Sequence, residues 1–162
     1  MGKTTLVSHP PQGILRFLLR LPIILYRLKL EWLLGKRFVL LKHIGRKSGE
    51  VRKTVVEVVE HDKATDTYFI VSGWGYKANW YRNLQATPDI EIKVGRRTLQ
   101  VTAETIPANE GVNVLLSYRE KYPLAARELS QLMGLDIFKT TPAELENIIQ
   151  ESLPVVALRP RQ

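Results

Sequence analysis

Most of the residues able to do chemistry fall into two short runs. The first, Gly45-Arg46-Lys47-Ser48-Gly49-Glu50-Val51-Arg52-Lys53, places four cations and a serine in a glycine-bracketed turn. Two glycines let the backbone turn sharply and approach a ligand, and exposed N–H groups in such a turn can form an anion nest. Arg46 and Arg52 offer forked donors for phosphate or carboxylate, and Lys47 a point charge. A solvated basic hairpin has the same composition, so this run alone leaves both readings open. The second run extends from Val71 to Leu84 and reads VSGWGYKANWYRNL. Glycines on both sides of Trp74 leave the backbone free to lie against a flat ring. Trp80 and Tyr81 open a helix whose first N–H groups lack intrahelical partners and suit an anion placed there. They suit a packed core equally well. Ser72 can donate to a developing anion on an acceptor, or bond to backbone at its strand end. Tyr118 and Tyr122, four apart on one helix face, can wall a pocket or supply a proton, or pack against a sheet.

The elements that must position these residues follow from periodicity and turn chemistry. Strands are expected at Lys36–Ile44, Lys53–His61 and Thr67–Ser72, with a polar hairpin loop over residues 61–66 and a break at Gly73-Trp74-Gly75. A helix over Asn79–Ala86 ends before Thr87-Pro88. Asp89–Val94 and Arg97–Ile106 alternate around Gly95-Arg96, a hairpin signature. Helices follow over Pro107–Tyr122 and Leu124–Gly134, then another from Thr141-Pro142 to about Glu151. Leu153–Leu158 reads as a last strand, and residues 159–162 as a loose tail. Six strands joined largely by hairpins predict an antiparallel barrel and not a Rossmann sheet. Neither the GxGxxG nor the GxxxxGK[ST] phosphate loop occurs.

Composition limits the options further. The 162 residues suit one domain, and 44% hydrophobic content supports a real core. No cysteine is present and the three histidines are far apart, so no metal site is expected. The net charge of +8 is uneven: residues 1–53 carry twelve Lys and Arg against two acids. A basic first third implies an anionic partner. Nucleic acid accounts for the charge and for nothing else, and no nucleic-acid-binding motif occurs. Residues 1–12 are expected to be flexible and 13–162 to form one domain. Within it, 13–35 are expected to form an amphipathic helical segment whose charges argue against a membrane span. That segment either packs on the barrel or on a second copy of the chain, or lies in a membrane interface. A cytoplasmic protein, peripheral to the inner face of the membrane in the second case, is the corresponding expectation.

Taken together, GRKSGxxR (Gly45–Arg52), VSGWG (Val71–Gly75), NWYRNLxAxP (Asn79–Pro88) and the IxIKVGxRxxxVTAE stretch (Ile90–Glu104) resemble the deazaflavin-dependent nitroreductases. These belong to the flavin and deazaflavin oxidoreductases, whose fold is a six-stranded split β-barrel with flanking helices, like that of pyridoxamine-phosphate oxidase. The resemblance implies coenzyme F420, an 8-hydroxy-5-deazaflavin, as cofactor. Its anionic tail would be clamped by Arg46, Lys47, Ser48, Arg52 and Lys53. The strand Thr54, Val55, Val56 and Glu57 would border the cofactor. Ile70, Val71, Ser72 and Gly73 would edge its ring, and Asn79, Trp80, Tyr81 and Asn83 would complete the pocket. Ser72, Tyr118 and Tyr122 are the candidate catalytic residues. Family members that reduce nitroimidazoles and quinones carry a lysine soon after the serine, where Gly73-Trp74-Gly75 stands here.

The resulting expectation is a two-electron reductase whose cofactor carries the hard chemistry. Hydride would pass to an apolar planar acceptor, a quinone or nitroaromatic. The acceptor pocket is expected between the Ser72–Lys77 loop and the helix of Tyr118 and Tyr122, with Trp74 at its mouth. An FMN-dependent reductase on the same barrel, and a non-catalytic lipid- or cofactor-binding protein at a membrane, are the alternatives.

Overall fold

The computed structural model describes residues 35–162. The expected membrane-interfacial or packing helix at 13–35 and the flexible 1–12 therefore lie outside the described residues, save for Gly35. Six strands, β1 (Phe38–Ile44), β2 (Val51–Asp62), β3 (Thr67–Val71), β4 (Asp89–Val94), β5 (Arg97–Thr105) and β6 (Val155–Pro160), form a closed barrel in the order β1-β2-β3-β6-β5-β4. Every neighbouring pair is antiparallel, and β1 against β4 closes the ring. Closure leaves no sheet edge to protect. Helix α1 (Asn79–Ala86) links β3 to β4, while α2 (Ala108–Lys121), α3 (Pro123–Met133) and α4 (Pro142–Ser152) fill the crossing from β5 to β6.

Alternation along the strands sorts the side chains into two cores. Val39 and Leu41, Tyr68 and Ile70, Ile90 and Ile92, and Val156 and Leu158 point into the barrel, where Trp80, Tyr81 and Leu84 of α1 plug one end. The outward residues Val59, Val155 and Ala157 pack under Leu115 and Tyr118 of α2 and Leu145 and Ile149 of α4. Strand β6 serves both cores, so Val155–Leu158 are buried on both faces and read as an unbroken apolar run.

Several element boundaries move from the sequence expectation. β2 runs from Val51 to Asp62 because the turn before it is tighter than composition suggested, with Gly45 N–H donating to Glu50 O at 2.8 Å. β3 stops at Val71, leaving Ser72 in the following loop. β6 reaches Pro160, and Arg161 N–H donates to Gln100 O at 2.8 Å, so the expected loose tail is paired with β5. β2 also carries a register shift between Val58 and Glu60 against β3. This bulge turns Glu60 to the helix side, where it meets Ser117 and Lys121.

Candidate functional site

The β1–β2 turn is built to hold cations without neutralising them. Gly49 takes φ 70°, and a side chain on Gly45 would come within 2.7 Å of Ser48 Oγ. The turn is docked onto α1 through Arg46. Its backbone N–H and one guanidinium nitrogen donate to Asn83 Oδ1 at 3.1 and 3.0 Å, and the other reaches Asn79 Oδ1 at 3.2 Å. The two asparagines lie four apart, hence on one helix face. No side chain caps α1. Around this junction lies a cavity of about 790 Å³ lined by the turn, by Arg52, Lys53 and Thr54 of β2, and by Asn79, Trp80 and Asn83 of α1. Among the described residues no carboxylate lines it. Arg52 pairs with the nearby Glu50 at 2.8 Å, while Lys47 and Lys53 make no ion pair among the described residues. Uncompensated cations, a serine hydroxyl and an uncapped helix start are the donors that an anion would suit.

A second cavity, of about 860 Å³, opens where β2 passes under the junction of α2 and α3. Tyr118 and Tyr122, Pro123, Leu124 and Ala125 face Glu57 to His61 across it, with Lys36 and Arg37 at one side. Tyr118 is buried and donates its hydroxyl to Glu57 Oε1 at 2.8 Å, where Arg37 Nε also arrives at 3.2 Å. Arg37 continues to Glu128 at 3.2 Å. Burial pushes the Glu57 carboxyl above the usual carboxylate range, against the opposing pull of Tyr118 and Arg37. Tyr118 is pushed far above the ordinary phenol range, first by burial and then by the Glu57 charge. Tyr122 is 56% exposed, its ring centroid 6.1 Å from that of Tyr118.

One strand connects the two cavities. Val56 and Val58 turn toward the barrel core, so Lys53, Val55 and Glu57 alternate onto its outer face. Lys53 lines the basic cavity and Glu57 the aromatic one. Four residues of strand separate them, roughly 13 Å.

The sequence candidates thus divide. Arg46, Lys47, Ser48, Arg52, Lys53, Thr54, Asn79, Trp80 and Asn83 share the basic cavity. Glu57, Tyr118 and Tyr122 share the aromatic one. Val55 lies between them, and Val56 packs toward the barrel core. Ile70 is wholly inside the barrel and Val71 packs under the helices, and neither lines either of these two cavities. Tyr81 is buried in the barrel plug, with its hydroxyl 2.9 Å from Thr105 Oγ1. Ser72 is 0% exposed: its hydroxyl donates to Gly75 O at 2.7 Å and its N–H to Pro154 O at 3.1 Å. Gly73 lies against Met133 and Gly75 against Ser152, so the Ser72–Lys77 loop packs on the ends of α3 and α4. The wall facing Tyr118 and Tyr122 is therefore β2 and not that loop, and Trp74 lines neither cavity.

Three contributors escaped the sequence reading. Arg37 and Glu60 take their places only through strand pairing and the bulge. His43 is buried at the basic cavity, with Nε2 3.0 Å from Thr54 Oγ1 and Nδ1 3.0 Å from Asn83 Nδ2. Burial, then the Arg52 charge, holds its imidazole below the ordinary histidine range. Its inward position in the alternation Val39, Leu41, His43 was the available signal.

Comparison with known proteins sets this geometry in a family. The model of the family described as F420H(2)-dependent quinone reductase matches residues 29–129. An F420H(2)-dependent quinone reductase of Mycobacterium tuberculosis is 33% identical over 75 residues, covering 44% of this chain and 48% of that protein. The chain thus matches about half the length of this curated relative. Among solved structures, an F420-H2 dependent reductase superposes with TM-score 0.53 at 22% identity, over 77% of this chain and 96% of that one. A haem-storage protein of Vibrio cholerae superposes with TM-score 0.52 at 16% identity, over 85% and 91%. Likenesses at these identities establish the fold, which serves more than one ligand chemistry. The family match spans well over half the chain, including the basic turn, all of β2 and the helix of Tyr118: the chain belongs to the F420H(2)-dependent quinone reductase family.

Proposed function

We propose that the chain is an oxidoreductase that uses reduced coenzyme F420 to reduce an apolar planar acceptor of the quinone class. The observation that carries this reading is the outer row Lys53, Val55, Glu57, which joins a basic cavity, carboxylate-free among the described residues, to one walled by tyrosines. The coenzyme's phosphodiester and glutamate carboxylates match Lys47, Lys53, Arg52 and the Ser48 hydroxyl. Its flat ring system matches the apolar Val55 surface leading toward Tyr118 and Tyr122. When bound, the reduced deazaflavin supplies the hydride. The chain's own part is to hold the anionic tail, lay the ring along β2 and offer the acceptor an apolar wall at Tyr122 and Leu124. The buried Tyr118–Glu57 pair stands beside that wall. Ser72, with its hydroxyl given to Gly75, positions the loop in this reading and does not touch the acceptor.

Anaerobic mixing of the protein with reduced coenzyme and a naphthoquinone, followed by the return of oxidised-deazaflavin absorbance, tests the proposal. Turnover is expected with the deazaflavin and not with reduced FMN. Turnover with reduced FMN alone transfers the site to the flavin, and none with either removes the reductase reading.

A further inference from the structure

Four side chains at the basic cavity form one hydrogen-bonded line whose polarity is set from one end. Arg46 can only donate, and two of its N–H groups meet Asn83 Oδ1 at 3.1 and 3.0 Å. The opposite amide orientation would set an NH2 group against both donors, so Asn83 Nδ2 is the atom facing His43 Nδ1 at 3.0 Å. Nδ1 therefore accepts and carries no hydrogen. The single N–H of a neutral imidazole then sits on Nε2 and points at Thr54 Oγ1, 3.0 Å away. With one lone pair engaged by His43, the Thr54 hydroxyl turns its own hydrogen away from the ring, and Thr54 lines the cavity.

We infer that His43 is a positioning residue of the anion site: a neutral, Nε2-protonated relay between Asn83 and Thr54 that holds the Thr54 hydroxyl as a donor to an anionic oxygen of the ligand. The inference rests on the reading of this cavity given above and adds a donor that charge and composition do not reveal. Every neighbour opposes a change of state. A proton on Nδ1 would face the Asn83 NH2 group, and turning the amide over would set that group against Arg46. Arg52 on β2, Arg46 and Lys47 in the turn, and Lys53 are all cationic, and α1 contributes the uncharged Asn79, Trp80 and Asn83 to the cavity. The ion pair of Lys42 with Glu91 projects from the opposite face of β1. A surface imidazole titrates near pH 6.5. This one stays neutral through that range, and the Thr54 donor persists with it.

Nitrogen-15 NMR of the ligand-free chain, labelled in its histidine rings, reads the state directly. The His43 signals should show a bare Nδ1 and a protonated Nε2, unchanged from about pH 8 to about pH 6. The other tautomer, or a charged ring near pH 6.5, overturns the inference. Affinity for oxidised coenzyme F420, read by fluorescence, supplies the second arm. His43→Phe and Thr54→Val should each weaken binding on the order of tenfold, and the double variant no more than the worse single one. Losses that multiply show two independent contributions and sink the relay. Should His43→Phe fail to fold, Thr54→Ser must restore the affinity that Thr54→Val loses, and failure to do so removes the hydroxyl from the site. If the native chain does not bind the coenzyme at all, the proposed function falls, and the ring-nitrogen spectrum still decides the state of His43.

Discussion

Arg46 and Lys47 are adjacent cations with opposite fates. Arg46 gives its fork to Asn79 and Asn83 and ties the turn to α1, whereas Lys47 faces the cavity with no ion pair among the described residues. Lys47→Ala is therefore expected to weaken coenzyme binding by roughly 1–3 kcal/mol without unsettling the fold. The loss should shrink at high salt, where the charge is already screened, and calorimetric titration at two ionic strengths measures both effects. At the other cavity, Tyr118→Phe removes a hydrogen bond that favours the charged form of Glu57. The Glu57 carboxyl, already raised by burial, should rise further. Carbon-13 titration of labelled glutamate in the two proteins checks the direction, and an unchanged midpoint would mean that the Tyr118 hydrogen bond has no part in setting it.

At the scale of elements, short local devices hold the pieces that carry these residues. Gly75 takes φ 68°, and a Cβ there would lie 2.7 Å from Ser152 O, so only glycine lets this loop close onto α4. Gly75→Ala should destabilise the protein by about 1–3 kcal/mol in urea unfolding. Two hairpins are pinned by Asp66, whose carboxylate accepts from Arg97 at 3.1 Å and lies 2.9 Å from His61 Nε2. The Arg97 hydrogen bond is the main cause that lowers Asp66 to about 2. A carboxyl depressed in the folded state stabilises the fold above its unfolded value, near pH 4. That contribution fades as pH falls from about 4 toward 2. The group is partly solvated, which limits its worth to about 1 kcal/mol. Asp66→Asn should flatten that part of an acid-stability profile, and a profile identical to the native one would show that the pin carries no net stability.

For the whole molecule, the decisive feature is that β6 belongs to the barrel core on one face and to the helical layer on the other. Leu158 is completely buried, so Leu158→Ala should cost about 2–5 kcal/mol. Because β6 joins the cores, barrel and helices should still unfold as one transition. Coincident denaturation curves from Trp80 environment and helical circular dichroism are the expected result. Separated curves would mean that the helical layer is an independent unit. The shared strand also explains how a small protein keeps two cavities strung along β2 in fixed relation: the barrel cannot shear without opening both cores.

What the sequence by itself determined is the set of strands and helices, the antiparallel barrel, and the concentration of cations in the β1–β2 turn. These follow from local rules: alternation, glycine and proline punctuation, the Thr141 N-cap and first-turn Pro142 that do start α4, and a charge imbalance readable without coordinates. The tertiary structure decided which candidates meet. Ser72 and Ile70 sit in a motif that suggests ring contact, yet strand register and the closing loop turn both inward. Glu57 and Tyr118, 61 positions apart, meet because β2 passes under α2, and the bulge after Val58 turns Glu60 to the same side. His43, a lone histidine to any sequence rule, is drawn to the basic cavity because β2 and α1 converge on its two ring nitrogens. Side-chain direction along a strand is local, but the identity of what stands opposite depends on chain segments tens of residues away, and only the closed barrel supplies it.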